Sequence, residues 1–235
     1  QGVSYHGNPT AYFSAANMHI VPGNTSGGAN YIYLRDDTDI KNSYEANQTV
    51  TAAYAMLNME PSDRMKINGG VRLESTNMVL ASDKLLEDDL LPELASNFRG
   101  DLQVVDVLPS LNLTMKLLEE DLKLVNYRFS ASQSVARPLF REKAPFSVFD
   151  FEIQEQQTGN TDLNRTKILN VDHRIEAYPA LGELISLSAF FKHFTDPIEQ
   201  VIISTAANTE ITWKNVAQAQ LFGLELEARK NLGFL

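Results

Sequence analysis

Strict alternation of apolar and polar residues runs through several stretches of this chain. In residues 122–135, one face carries Val125, Tyr127, Phe129 and Ala131, and the other carries Asn126, Arg128, Ser130, Ser132 and Ser134. A period of two over such a length predicts a β-strand with one face in an apolar medium. The pattern recurs in residues 65–73, 108–117, 167–177, 184–194 and 222–230. It is weaker in residues 49–59, where the apolar face would be Val50, Ala52, Tyr54 and Met56.

The connections between these strands alternate between short and long. Turn-like segments lie at residues 60–64, 119–121, 179–182 and 231–233, and long segments lie at about 80–104, 136–164 and 200–213. Long loops are uncommon in compact soluble domains, whereas outer-membrane barrels have short periplasmic turns and long extracellular loops. The sequence therefore predicts an all-β fold, an antiparallel up-and-down transmembrane β-barrel segment of about seven to eight strands. A soluble β-barrel or sandwich that binds a ligand remains the alternative, because periodicity alone does not separate the two.

Composition narrows the function further. The net charge of −10 and the pI near 4.9 argue against a nucleic-acid partner. The chain has no cysteine and no run of 18 apolar residues, so it predicts neither a disulfide framework nor a transmembrane helix. Its mean hydropathy of −0.22 is compatible with barrel strands, whose two faces average to near neutral.

The chain divides by composition into two parts. Residues 1–47 are rich in Gly, Asn, Ser and Tyr and predict a loop-rich segment, an extracellular loop of a larger barrel. Residues 48–235 hold the strands. The first residues lack the features of a signal peptide, and we expect both ends of the chain to be internal cuts in a longer protein.

Several motifs resemble the TonB-dependent outer-membrane receptors, and most closely the branch common in Bacteroidetes. They are LPSLNLTMKL (108–117), NYRFSASQSVARPLFREKAPF (126–146), TGNTDLNRT (158–166), FFKHFTDPIEQVI (190–202) and FGLELEARKNL (222–232). They follow the family's order and cover about residues 48–235. The resemblance implies the C-terminal part of a barrel of about 22 strands with a plugged lumen. The plug and the N-terminal motif that engages TonB would lie outside this chain.

The resemblance also implies a function and a place. The parent protein would be a receptor in the outer membrane of a Gram-negative bacterium that imports a scarce solute with the help of TonB. That solute would be a siderophore, a haem, a cobalamin or an oligosaccharide. Outer-membrane lipid would be a further partner, and no cofactor is expected.

Six residues are candidates for ligand contact. Arg137 and Arg141 begin the long segment 136–164 and could bind an anionic ligand, or they could brace carboxylates of the loop. Phe146 and Phe149 could stack on a ligand or pack the loop on itself. Arg128 and Arg174 belong to the polar faces of their strands and would line the lumen of a barrel.

Other chemistry has weaker support. The carboxylate pairs Glu152 with Glu155, Asp172 with Glu176, and Glu225 with Glu227 could serve a glycosidase, but the sequence offers no apolar pocket to raise one pKa. His6, His19, His173 and His193 have no metal-binding spacing. Trp213 and Tyr178 lie at predicted strand ends and would be interfacial anchors. We therefore expect no catalytic and no metal site.

Overall fold

The computed structural model describes residues 44–81, 99–120, 123–152, 154–204 and 209–232. Most of the predicted N-terminal segment (1–43) and most of the first long connection (82–98) lie outside these residues. Within the described ranges the elements are β1 (Glu45–Ser62), β2 (Met65–Ala81), β3 (Arg99–Glu120), β4 (Lys123–Ala136), α1 (Phe140–Lys143), β5 (Ser147–Asp150), β6 (Glu155–Thr158), β7 (Thr166–Tyr178), β8 (Leu184–Thr195), β9 (Ile198–Ser204), β10 (Thr209–Asn215) and β11 (Gln218–Arg229). No helix among the described residues is long and apolar enough to cross a membrane.

Seven long strands form one antiparallel sheet in the order β1-β2-β3-β4-β7-β8-β11. Every neighbouring pair is antiparallel, and the chain runs up and down from one strand to the next. The predicted strand count and the predicted up-and-down topology are confirmed. Among the residues that the structure describes, β1 and β11 are the edges of this sheet, and it does not close into a barrel.

The two faces of this main sheet differ in polarity as the alternation predicts. We call the face against which residues 137–165 pack the inner face, and the opposite one the outer face. The cross-strand register aligns Leu113 with Phe129, His173 and Ala189 on the outer face. The next positions, Asn112, Ser130, Asp172 and Phe190, face inward. Most outer positions are large apolar side chains that remain exposed, as expected of a surface that meets lipid.

Strand β1 departs from the predicted orientation. The register aligns Val50 with Thr76, Ala52 with Glu74, Tyr54 with Arg72 and Met56 with Gly70, all on the inner face. The outer face of β1 carries Ala53, Ala55, Leu57 and Met59 instead. The strand is apolar on both faces, so its sequence pattern could not identify the inner one, and pairing with β2 decided the orientation.

Residues 200–213 were predicted as a long loop, and that prediction is wrong. They belong mostly to β9 and β10, which pair with each other in unbroken register from Thr209–Ser204 to Asn215–Ile198. Only Asp196 and Pro197 separate β8 from β9, and Asp196 has a positive φ of 55°. This hairpin therefore continues β8 and β11 past a bend.

A second sheet forms from the two connections at the same end of the main sheet. Its order is β5-β6-β10-β9. Strand β6 comes from the connection between β4 and β7, and it pairs in parallel with β10 through Gln156–Glu210 and Gln157–Ile211. We call this second sheet the cap sheet, because it lies at one end of the main sheet.

The outer face can be tested with a matched pair of arginine substitutions on β3. Leu111→Arg places a charge on the outer face, whereas Ser110→Arg places it on the inner face beside Gly70 and Ser132. If the outer face lies in lipid, Leu111→Arg costs about 2–4 kcal/mol near the bilayer centre. We expect Leu111→Arg alone to lower the yield of heat-modifiable protein folded into lipid vesicles. Equal yields for the two variants would contradict a lipid-facing outer surface.

Candidate functional site

Two carboxylates lie side by side on the inner face near the end that carries the long connections. Glu74 of β2 and Asp106 of β3 are direct cross-strand partners, and the side chain of Asp106 is only 2% exposed. Adjacent carboxylates in such a buried position require nearby cations, since like charges on facing positions destabilise a sheet.

Arginines at both ends of the connection between β4 and β7 supply those cations. Arg137 donates from Nη2 to Glu74 and from Nε to Thr76 Oγ1 at 2.8 Å. Arg165 donates from Nε to Asp106 Oδ1 at 2.5 Å. We call these two ion pairs the double clamp. Because Arg137 opens the connection and Arg165 closes it, the double clamp fixes both ends of residues 137–165 to one place on the inner face.

An apolar cluster holds the start of this connection against the sheet. Met78, Leu80 and Leu102 of the inner face pack with Ala144, just after α1, and all four are buried. Phe146 packs against this cluster and meets Tyr44 edge to face, with the ring centroids 5.4 Å apart. The inner face is therefore apolar around this cluster, where the connection covers it and excludes water.

Lys143 is buried next to this cluster and ties the two halves of the connection together. Its ammonium donates to the carbonyl oxygen of Thr161 and, at 2.7 Å, to that of Leu163. Burial lowers the pKa of Lys143, and the nearby charges of Asp162 and Asp101 oppose that shift. The role of Lys143 is therefore structural, because its ammonium binds backbone carbonyls of the same connection.

A glycine lets the connection pack closely on itself, and asparagine residues join it to the β9–β10 hairpin. A Cβ at Gly159 would lie 2.1 Å from the carbonyl oxygen of Ala144, so only glycine fits there. Asn160 donates to the carbonyl oxygen of Trp213 at 2.9 Å. Asn215 accepts from the backbone of Asn164 at 2.8 Å and donates back to its carbonyl oxygen at 3.1 Å. The segment TGNTDLNR thus carries the residues that hold the cap sheet together.

A separate charge network lies on the inner face toward the short turns. Glu176 accepts from Arg128 at 2.9 Å and from Arg174 at 2.8 Å, and Arg174 also donates to Glu227 at 3.0 Å. The hydroxyl of Tyr178 donates to Glu176 at 3.2 Å. Arg128 and Arg174 were predicted to line an interior, and the register and these contacts place them on the inner face.

The cap sheet leaves an aromatic pair exposed. Phe149 and Phe151 are 48% and 84% exposed, and their rings meet edge to face with centroids 5.1 Å apart. Arg141 is exposed as well and donates to the side-chain oxygen of Gln157. These two aromatic rings can contact an arriving molecule, whereas Phe146 is half-buried in the packing of the connection.

The other sequence-predicted residues fall into structural positions. Arg137 binds a carboxylate, as one of the two interpretations expected, but that carboxylate is Glu74 of strand β2 and does not belong to the loop. The interpretation of Tyr178 as an interfacial anchor is wrong, because its hydroxyl reaches Glu176 on the inner face. Trp213 belongs to β10 in the cap sheet and does not end a strand of the main sheet.

The histidines and carboxylates considered in the sequence analysis form no metal-binding or acid–base arrangement in the described part of the chain. His173 lies on the outer face, where Nδ1 and the hydroxyl of Tyr127 are 2.7 Å apart. Glu176 is engaged by two arginines, and Glu152 is exposed in the turn between β5 and β6. Within the described part of the chain, no three His, Asp or Glu side chains are grouped so that they could hold a metal ion. His6 and His19 lie outside that part.

Sequence reasoning missed Glu74, Asp106, Arg165 and Asn215 as a connected set. Glu74 was visible only as one polar position of an alternating strand, and Asp106 lies beyond the predicted start of its strand. A signal was available in the arginines that bracket residues 137–165, but their carboxylate partners are more than 50 positions away in sequence. Only strand register brings them together.

Comparison with known proteins gives one family and several structures. A model described as the outer membrane protein beta-barrel family matches residues 24–233. The fold is similar to a double mutant of the Serratia marcescens hemophore receptor HasR in complex with its hemophore HasA and heme, at 14% identity and a TM-score of 0.57. The alignment covers 78% of this chain and 32% of that one.

Two further structures are similar. The copper transporter OprC is 17% identical with a TM-score of 0.57, over 80% of this chain and 27% of that one. The siderophore receptor PirA from Pseudomonas aeruginosa is 16% identical with a TM-score of 0.49, over 78% of this chain and 40% of that one. The chain thus spans between about a quarter and two fifths of these proteins. No curated protein matches it.

The double clamp can be tested by removing one cation. Arg165→Met leaves the buried carboxylate of Asp106 without its partner, which costs about 3–5 kcal/mol. We expect subtilisin to cleave within residues 137–165 roughly 100- to 1,000-fold faster or more, because cleavage follows the population of the open connection. The double variant Arg165→Met with Asp106→Leu should cleave at close to the original rate, since apolar replacement of both partners is often neutral.

A surface pair of the same chemistry provides the control for this experiment. Arg99 and Asp101 form an exposed ion pair at 2.9 Å, and exposed pairs contribute about 0–1 kcal/mol. Arg99→Met should therefore leave the cleavage rate almost unchanged. Equal rates for Arg99→Met and Arg165→Met would show that the double clamp does not hold the connection.

The close approach at Gly159 gives a second prediction. Gly159→Ala forces the carbonyl of Ala144 away and should cost about 1–3 kcal/mol of local stability. We expect faster amide hydrogen exchange in residues 141–163, measured by mass spectrometry. Gly69→Ala is the control, because its Cβ would meet its nearest neighbour, Leu111 Cδ1, at an ordinary 3.5 Å. Unchanged exchange in Gly159→Ala would contradict the steric requirement.

Proposed function

The chain belongs to the outer membrane protein beta-barrel family, and from this premise we propose that it is part of a receptor that binds a scarce solute at the cell surface and imports it. The outer membrane is its location. A sheet with an apolar outer face and a charged inner face suits a wall between lipid and a lumen. The solved structures with a similar fold are receptors and a transporter, which fits a protein that carries out no chemistry of its own.

The double clamp is the observation that carries the proposal. An open diffusion pore needs an unobstructed mouth, whereas here residues 137–165 are fastened across the inner face by two partly buried ion pairs and an apolar cluster. A connection held this firmly presents its outer residues in a fixed arrangement, which favours recognition of a particular molecule. The fixed cap with an exposed aromatic pair supports a receptor over a general pore.

The orientation of the sheet in the membrane and its place in a larger barrel follow from the same proposal. The short turns would face the periplasm and the cap sheet the cell exterior. Among the described residues, β1 and β11 are free edges, and the chain covers a small share of the similar structures, which supports a part of a larger barrel. The sequence motifs and their order support the C-terminal part of a TonB-dependent barrel of the Bacteroidetes type. TonB would engage the parent protein through a segment outside this chain, and the outer face would contact lipid.

Ligand contact is best assigned to the cap sheet. Phe149 and Arg141 are the accessible sequence-predicted candidates in or beside the cap sheet, and Phe151 joins them. Aromatic rings stack on flat or cyclic ligands, so a ferric chelate, a haem, a cobalamin and an oligosaccharide all suit this surface. Arg137, Arg174 and Phe146 are partly buried and would act by positioning the wall and the connection. The side chain of Arg128 is half exposed, but its guanidinium is paired with Glu176 on the wall, and we assign it the same role.

The two alternatives have less support. A soluble ligand-binding domain would hide its apolar face in a core, but side chains such as Leu224, Leu226 and Phe222 on the outer face are exposed. A glycosidase would need two carboxylates with different environments across a cleft. The candidates Asp172 and Glu176 lie on a wall where Glu176 is already paired with arginines.

Membrane fractionation of cells that express the parent gene tests the proposal. We expect the protein in the outer membrane with heat-modifiable mobility on a gel, and slower growth on one limiting solute when the gene is deleted. Recovery as a soluble monomer would favour the soluble ligand-binding domain. Growth that is unaffected on haem, ferric chelates, cobalamin and oligosaccharides would argue against an importer of these solutes.

The aromatic pair gives a residue-level prediction. Phe149→Ala and Phe151→Ala should each weaken whole-cell binding of the imported solute, because one aromatic contact contributes about 0.5–1.5 kcal/mol, roughly 2–12-fold in Kd. Leu181→Ala is the control, since Leu181 is exposed in a turn at the opposite end of the sheet. Unchanged binding in the double variant would remove the cap sheet from the binding site.

A further inference from the structure

The free edge of β9 is an unused pairing surface on the cap sheet. Strand β9 hydrogen-bonds to β10 on one side, and among the described residues no strand pairs with its other side. Below β9, the carbonyl oxygen of Asp196 accepts hydrogen bonds from the hydroxyl of Thr166 and the side-chain amide of Asn215. Within the part of the chain that the structure describes, the free side of Ile198–Ser204 therefore has no partner strand.

This edge has few of the features that usually block strand addition: one charge, Glu199, and a proline and bend only before its first residue. Natural edge strands are kept short or carry lysine, proline or a bulge. Strand β9 reads IEQVIIS, has an unbroken register with β10, and exposes Ile202 at 65%. The opposite edge, β5, has only four residues and includes Asp150. The two edges thus differ in length and in exposed apolar surface, and β9 is the better suited to pair with another strand.

Charge indicates which kind of strand would fit. Residues 147–158, 198–204 and 209–215 carry five carboxylates, Asp150, Glu152, Glu155, Glu199 and Glu210, against the single ammonium of Lys214. A basic partner would be attracted to this sheet. A second copy of this chain would bring the same excess of negative charge to the same edge, which disfavours self-pairing.

We propose that the free edge of β9 binds an extended, basic segment of a peptide or protein outside the cell and adds it to the cap sheet as a fifth strand. Main-chain hydrogen bonds would supply affinity, and Ile202 with its neighbours would contact alternate side chains of the added strand. The proposal rests on the proposed function only in requiring that the cap sheet faces the cell exterior.

The test uses the full-length protein purified from outer membranes in detergent, and fluorescently labelled synthetic peptides of alternating Val and Lys. Fluorescence anisotropy should show saturable binding of this peptide. The same peptide with N-methyl groups on alternate residues keeps its side chains but loses the hydrogen bonds of one edge. It should bind at least about tenfold more weakly, as should a peptide of alternating Val and Glu.

One protein variant separates strand pairing from simple charge attraction. Ile202→Asp adds a negative charge, so attraction alone would strengthen binding of the Val-Lys peptide. Loss of the β-branched side chain at the edge should instead weaken binding by about tenfold or more. Leu181→Asp, at the short-turn end, adds the same charge far from β9 and should leave binding unchanged.

Several results would overturn the proposal. These are equal binding of the methylated and unmethylated peptides, absence of binding for every peptide, or stronger binding by Ile202→Asp. A dimer in detergent that Ile202→Asp dissociates would identify a second copy as the occupant and would also reject the peptide. Outer-membrane recovery and solute uptake, measured on the same variant, report on the receptor function separately.

Discussion

The pairing of Glu74 with Asp106 across β2 and β3 is the constraint from which the rest of the site follows. Two carboxylates on facing positions of a sheet repel each other, and burial removes the water that would screen them. The protein meets this constraint with Arg72 of β2, which pairs with Glu74, and with two arginines that come from the two ends of one connection. The path of residues 137–165 is thereby set by electrostatics on the inner wall, and the apolar cluster around Met78 and Ala144 then fills the space beneath.

That arrangement divides the inner face into two regions with different chemistry. Toward the short turns the inner face is polar, and Arg128 and Arg174 hold Glu176 in a network open to a lumen. Toward the long connections it is apolar or clamped, because a segment of the chain covers it. Strand β1 adds Tyr54 and Met56 to the inner side as well. Where the connection packs on the wall, the buried polar residues Glu74, Thr76 and Asp106 are therefore bound by its arginines.

The cap sheet shows how two connections become one recognition surface. Strands β6 and β10 pair in parallel over a short stretch, and amide side chains such as Asn160 and Asn215 join the backbones beside that pairing. Asparagine suits this role because one side chain both donates and accepts. The connection is held at both ends by the double clamp, and hydrogen bonds join the hairpin to it. The exposed aromatic pair and the free edge of β9 therefore belong to segments that are fixed to the main sheet.

The sequence by itself determined the strands, their alternating faces and the order of short and long connections, because a period of two is a local property that survives in any context. It also identified Arg137 and Arg141 at the mouth of the longest connection and the aromatic residues within it. It could not orient β1, whose faces are both apolar, and it took β9 and β10 for a loop because their pattern does not alternate cleanly. Partners more than 50 residues apart, such as Arg165 and Asp106, depend on register and on the path of the connection over the wall. Those are set only when the strands pair, and so the tertiary structure alone decided which residues brace the protein and which remain free to bind.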